Sequence, residues 1–214
     1  MSVRGALRRA LVDFYYHSWR LLLLNTLLSG SAIAILVAAS YSQLALLLLV
    51  LLGPVAAALM HCTVTLAQTD ELRLGEGLRG LRLHWRRGLG LGAMGWAVVA
   101  LGAFALVFYA RSGTLAIPLA ILVFYLLLLF GVFQLALWPL AVLERDRPFL
   151  RVLGDAALMI LRRPKAWVAL ATALVGVNLV GIAAAALPFL TLTIAYSFLA
   201  AAHFVLPPRP SPEG

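Results

Sequence analysis

Five polar side chains interrupt otherwise apolar stretches of this chain: Asn25, His61, Gln134, Asn178 and His203. An amide or imidazole in hydrocarbon needs hydrogen-bond partners, and contacts between helices worth ~0.6–2 kcal/mol each are the ordinary supply. A sharper reading gathers the five, with Tyr125 and Tyr196, around a polar cavity open to the cytoplasm. His61 and His203, two neutral imidazoles at similar depth, would then serve as a proton switch. Little other chemistry is legible. Cys62 is the single cysteine, a small buried thiol that permits no internal disulfide and builds no metal cluster. There is no H-E-x-x-H helix, P-loop, G-x-S-x-G elbow or dinucleotide fingerprint. The acids are Asp13, Asp70, Glu71, Glu76, Glu144, Asp146, Asp155 and Glu213, all outside the apolar runs. Proton-coupled pumps usually hold an ionisable carboxylate within a span, and none is found in one here. The chemistry therefore reads as non-enzymatic, with neither cofactor nor metal.

The elements that position these groups follow from composition. The chain is 64% hydrophobic and 12% charged, whereas soluble domains run near 45–50% and 25%. About 20 apolar residues cross the hydrocarbon core, and six such runs are present: 21–39, 44–66, 89–110, 115–143, 167–185 and 188–206. Placing the N-terminus in the cytoplasm puts Arg4, Arg8, Arg9, Arg20, Arg73, Arg79, Arg82, Arg86 and Arg87 inside. Arg145, Arg147, Arg151, Arg162, Arg163, Lys165 and Arg209 join them, which leaves only Arg111 outside. That asymmetry sets orientation, with both termini cytoplasmic. The net charge of +9 then reads as topology and attraction to anionic lipid headgroups, not as a nucleic-acid surface. The 19-residue first run and its long basic lead predict a retained span rather than a cleaved signal peptide, despite the small residues Val37-Ala38-Ala39.

The fold class is an all-α polytopic membrane bundle forming a single domain over 1–206, followed by a flexible cytoplasmic tail at 207–214. Three parallel units, 1–67, 68–143 and 144–206, each lead from an amphipathic cytoplasmic helix through an Arg-rich junction into a hairpin. His17-Ser18-Trp19-Arg20 is echoed by His84-Trp85-Arg86-Arg87, and more distantly by Arg162-Arg163 with Trp167. Arg20, Arg86, Arg87, Arg162 and Arg163, with Trp19, Trp85 and Trp167, read as inner-interface anchors. Leu74, Leu78, Leu81 and Trp85 form one helical stripe; Phe149, Leu153, Ala156 and Ile160 form another, with Asp146 as N-cap and Pro164 as terminator. Val3, Leu7, Ala10 and Phe14 give a third. Such helices lie apolar face down in the inner interface, or else dock a soluble partner.

Small residues predict where helices touch. Gly88, Gly92, Gly95 and Gly102 share one face of the third run, Ala169, Ala173, Gly176 and Ala183 one of the fifth, and Asn25, Ser29, Ala32 and Ala39 one of the first. The odd-numbered spans would then form the inner seam, unless these residues reflect only a Gly- and Ala-rich composition. Pro188 divides 166–206 into two spans; a single tilted helix and a re-entrant hairpin are the alternatives.

Several of these segments together carry a resemblance. Trp19-Arg20-Leu21 with Asn25, Gly53-Pro54-Val55-Ala56-Ala57-Ala58-Leu59, the inner helix Gly77-Leu78-Arg79-Gly80-Leu81-Arg82 with Arg86-Arg87-Gly88, and Gln134 with Trp138-Pro139-Leu140 resemble the YesL-like family of bacterial integral membrane proteins. Leu replaces most of that family's aromatic positions in the inner helix. The resemblance implies a bacterial cytoplasmic (inner) membrane protein accessory to carbohydrate uptake, with a sugar-import complex as partner. A secondary transporter or channel for a small neutral solute is the alternative. Mitochondrial carriers share a three-hairpin layout, but their P-x-[DE]-x-x-[KR] signature is missing from all three units. Neither ligand nor oligomeric state is legible.

Overall fold

The computed structural model describes residues 2–73, 75–183 and 192–206. Among them are seven α-helices: α1 (Val3–Tyr41), α2 (Leu52–Thr69), α3 (Gly75–Arg111), α4 (Ile117–Leu143), α5 (Phe149–Arg162), α6 (Pro164–Ala183) and α7 (Ile194–Val205). No strand occurs among the described residues. Five segments are long and apolar enough to cross a membrane: Trp19–Tyr41, Gln43–Thr69, Gly75–Arg111, Thr114–Leu143 and Pro164–Ala183. The sixth expected crossing is represented by α7, which is apolar but shorter. The break expected at Pro188 and the tail at 207–214 lie outside the described residues.

Local chemistry sets the helix limits. The Ser2 hydroxyl accepts from the Gly5 amide and caps α1. Pro54 lacks an N–H and falls in the first turn of α2, where none is needed. A 3₁₀ segment, Gln43–Leu51, precedes it. Asp70 adopts a left-handed conformation (φ 57°) and ends α2, and Gly113 (φ 93°) supplies the turn from α3 to α4. Pro148, not Asp146, occupies the N-cap of α5, and no side chain caps that helix. Pro164 opens α6, because its ring suits a first helical position.

Packing is concentrated at one end. The core forms where α2, α7 and the last turns of α4 meet, with Leu59, Leu66, Leu137, Leu199 and Ala200 buried. The expected inner seam of odd-numbered spans is therefore not what forms; segments two, four and six meet instead. Small faces failed as a guide in α6, where Ala169 and Gly176 point outward while Trp167, Leu170 and Leu174 are buried. Alanine packs against lipid as well as against protein, so hydropathy does not separate the two faces.

In α3 the glycines do mark contact. Gly88 and Gly92 lie against the backbone of α2 at Val50–Pro54, Gly95 against Gln134, and Gly102 against Leu127. The buried stripe is Gly77, Gly80, His84, Gly88 and Leu91. The predicted amphipathic helix over 70–87 is thus no separate element but the first turns of a continuous α3, packed lengthwise on α2. Of its predicted apolar stripe, Leu78 is 67% and Trp85 50% exposed and Leu81 is half-buried, while Leu74 lies outside the described residues.

The N-terminal helix packs its apolar face on another helix. Backbone geometry breaks at His17 (φ −117°, ψ 16°), and the first half of α1 packs on α7 through its predicted face. Phe14 meets Tyr196 edge to face, and the Tyr196 hydroxyl donates to the Leu7 carbonyl at 3.2 Å. The most extensive interface is α2 with α3, and α1 packs on α7, so contacts run between the expected units as well as within them.

Candidate functional site

The packed end holds two histidine–carboxylate pairs, each bridging two helices. On one side, His203 in the last turn of α7 places Nε2 2.8 Å from Asp13 Oδ2 on α1. On the other, His61 on α2 places Nε2 3.2 Å from Glu76 Oε2 in the first turn of α3. The Glu76 carboxylate also meets Arg79 at 3.4 Å. His61 can approach because Gly80 has no side chain; a Cβ there would fall 2.9 Å from the imidazole. Beside it the ring of His84 lies 5.2 Å from that of His61, 2% exposed, with neither nitrogen hydrogen-bonded among the described residues.

The other in-span polar groups are taken up elsewhere. Asn178 Nδ2 donates to the Leu174 carbonyl at 2.7 Å and to Ser197 Oγ at 2.9 Å; the Ser197 hydroxyl in turn donates to the Thr193 carbonyl at 2.7 Å. Gln134 lies against Gly95, its Oε1 buried with no hydrogen bond among the described residues. Asn25 is wholly buried on α1. Tyr125 is 63% exposed and faces outward, away from any shared cavity. His61, His203, Asn178 and Tyr196 thus each engage a neighbouring helix.

The anchor set divides as well. Trp19 and Trp85 are exposed, with the Arg20 guanidinium 5.2 Å above the Trp19 ring. Trp167 corrects the expectation: it is 1% exposed, donates from Nε1 to the Met159 carbonyl at 3.2 Å and meets Phe204 edge to face. Arg20 donates to the Leu72 carbonyl. Arg87 donates to the carbonyls of Ala141 at 2.9 Å and Glu144 at 2.7 Å, and also to that of Arg147. It therefore caps the C-terminus of α4, where backbone carbonyls lack partners and the helix dipole is negative. Arg86, Arg162 and Arg163 remain exposed.

No protein-family model, curated protein or solved structure matches this chain.

Among the described residues no group of three or more His, Cys, Asp or Glu is placed to hold a metal ion. The arrangement can tie helices together at their junctions. An open groove of about 440 Å³ lies among α4, α5, α6 and α7, and none of the five in-span polar residues lines it. Sequence reasoning missed Asp13, Glu76 and His84 as partners. For His84 a signal existed: it continues the Gly77, Gly80, Gly88 spacing on one helix face. For Asp13 there was none, because its partner lies 190 residues away.

Proposed function

We propose that this chain is a multi-pass accessory protein of the bacterial cytoplasmic membrane, without enzymatic activity, that serves a carbohydrate-import complex. It crosses six times, with both termini cytoplasmic. The observation that carries the accessory reading is the dispersal of polar groups: His61, Asn178 and His203 each engage a different neighbour. A solute path needs such groups to face one shared space, so their commitment to helix contacts favours a scaffold over a transporter.

Two contacts support the sixth crossing, Trp167 with Phe204 and Asn178 with Ser197, which bring α7 back alongside α6 in antiparallel order. Orientation rests on the basic residues. The contacts Arg20–Leu72 and Arg87–Glu144 join segments that all carry them. The YesL-like resemblance supplies the link to sugar uptake. The test pairs two measurements on the purified protein. Copurification with a sugar permease from native membranes, without flux of neutral sugars in liposomes, is the expected result. Flux by the protein alone, abolished by Gln134→Leu or Asn178→Leu, would establish transport instead.

A further inference from the structure

The groove between the end of α5 and the start of α6 combines charged and apolar side chains. Its walls carry Arg147, Arg162 and Arg163, and its accessible apolar lining includes Met159, Phe204 and Val205. Both acids of the wall meet a single arginine: Arg147 Nη1 lies 3.2 Å from Glu144 and 3.3 Å from Asp155. Arg162 and Arg163 have no carboxylate partner among the described residues, and they flank the point where α6 begins. Three arginines against two acids leave the rim with a net charge of +1 beside apolar side chains.

The opposite flank of α5 identifies the surroundings. There a second open groove, of about 400 Å³, is lined wholly by apolar side chains, including Phe130 and Phe133 of α4 and Ile160 and Leu161 of α5. A helix with a charged groove on one side and a hydrocarbon-like one on the other fits the boundary between headgroups and acyl chains. An occupant at that depth carries both a phosphate and an apolar tail.

We infer that the α5–α6 groove is a specific site for one anionic phospholipid, its phosphate held by Arg162 and Arg163 and its glycerol and upper acyl chain lying on the partly exposed Phe204 and Val205. The inference rests on the membrane-embedded reading above and deepens it from general attraction to a defined site.

The test places a photoreactive benzophenone amino acid at Leu158, in the groove wall. The full-length protein is reconstituted in phosphatidylcholine vesicles containing a minority of phosphatidylglycerol, illuminated, and analysed by mass spectrometry. The expected product is a single phosphatidylglycerol adduct. Arg162→Gln with Arg163→Gln should reduce it at least about tenfold, whereas Arg4→Gln with Arg8→Gln, which removes equal charge elsewhere, should leave it unchanged. Labelling in proportion to bulk lipid, equal loss in both charge variants, displacement by soluble glycerol phosphate, or a crosslink to residues 207–214 or a second protein would each overturn the site. An unaltered melting temperature of the groove variant excludes unfolding as the cause. Release of the wild-type protein from membranes by alkaline carbonate would instead defeat the membrane reading, a result separable from the crosslink.

Discussion

Gly53 and Gly88 face each other across the α2–α3 interface so closely that neither has room for a side chain. A Cβ on Gly88 would fall 2.6 Å from the Pro54 Cα, and one on Gly53 would meet the Gly88 carbonyl. Backbone on both sides leaves nothing soft to yield. Gly53→Ala and Gly88→Ala should each cost about 1–3 kcal/mol by overpacking, read as a lower melting temperature in detergent. Gly90, on the same helix, has open space around its position. Gly90→Ala should hold or raise stability by up to ~1 kcal/mol, since alanine is the better helix former. Equal effects at positions 88 and 90 would refute this packing.

The Asp13–His203 pair should behave as a coupled unit. Removing either partner leaves the other poorly solvated, a cost of about 1–3 kcal/mol. In a double-mutant cycle of Asp13→Asn and His203→Ala, the second substitution should cost markedly less once the first is made. The N-terminal helix should also become more susceptible to protease near His17. Simple additivity would mean that the two side chains do not interact.

Arg87 makes a sharper case because its neighbour provides the control. Arg87→Ala strands carbonyls at the end of α4 and should cost about 1.5–3 kcal/mol, the range for hydrogen bonds to charged groups. Arg87→Lys should recover only part, since an ammonium cannot reproduce the planar fork. Arg86→Ala is exposed and should stay within ~0.5 kcal/mol. Thermal unfolding of the three variants checks the order, and a larger loss at Arg86 would contradict the cap.

Orientation can be read by labelling single cysteines in a Cys62→Ala background. In intact cells an impermeant thiol reagent should label Ser112→Cys and spare Arg79→Cys, which reacts only after the membrane is opened. The reverse pattern would invert the topology.

How far the sequence could carry the fold is clearest in α3 and α6. Apolar run length found both helices, because length and hydropathy are properties of the segment itself. Which face turns inward is a different matter. In α3 the glycine stripe predicted contact correctly, since the near approach of Gly53 admits nothing larger. In α6 an equally good small face, Ala169 to Gly176, looks outward, and bulky Trp167 and Leu170 pack inside. The candidate polar residues were legible as exceptions within apolar runs. Their partners were not, because Asp13 and Glu76 lie outside the apolar runs and no sequence pattern pairs them with groups inside. Arg87 likewise read as a headgroup anchor, although its fork meets backbone carbonyls that no sequence pattern reveals.

The docking of α1 on α7 has a temporal corollary. Chains are synthesised and threaded into the bilayer from the N-terminus onward, yet Phe14 and Asp13 find Tyr196 and His203 only on the last described helix. Throughout translation the leading helix must therefore wait uncovered, sheltered by lipid or a chaperone. A ribosome stalled before residue 196 leaves the bundle unlatched, so final closure is a post-insertion event.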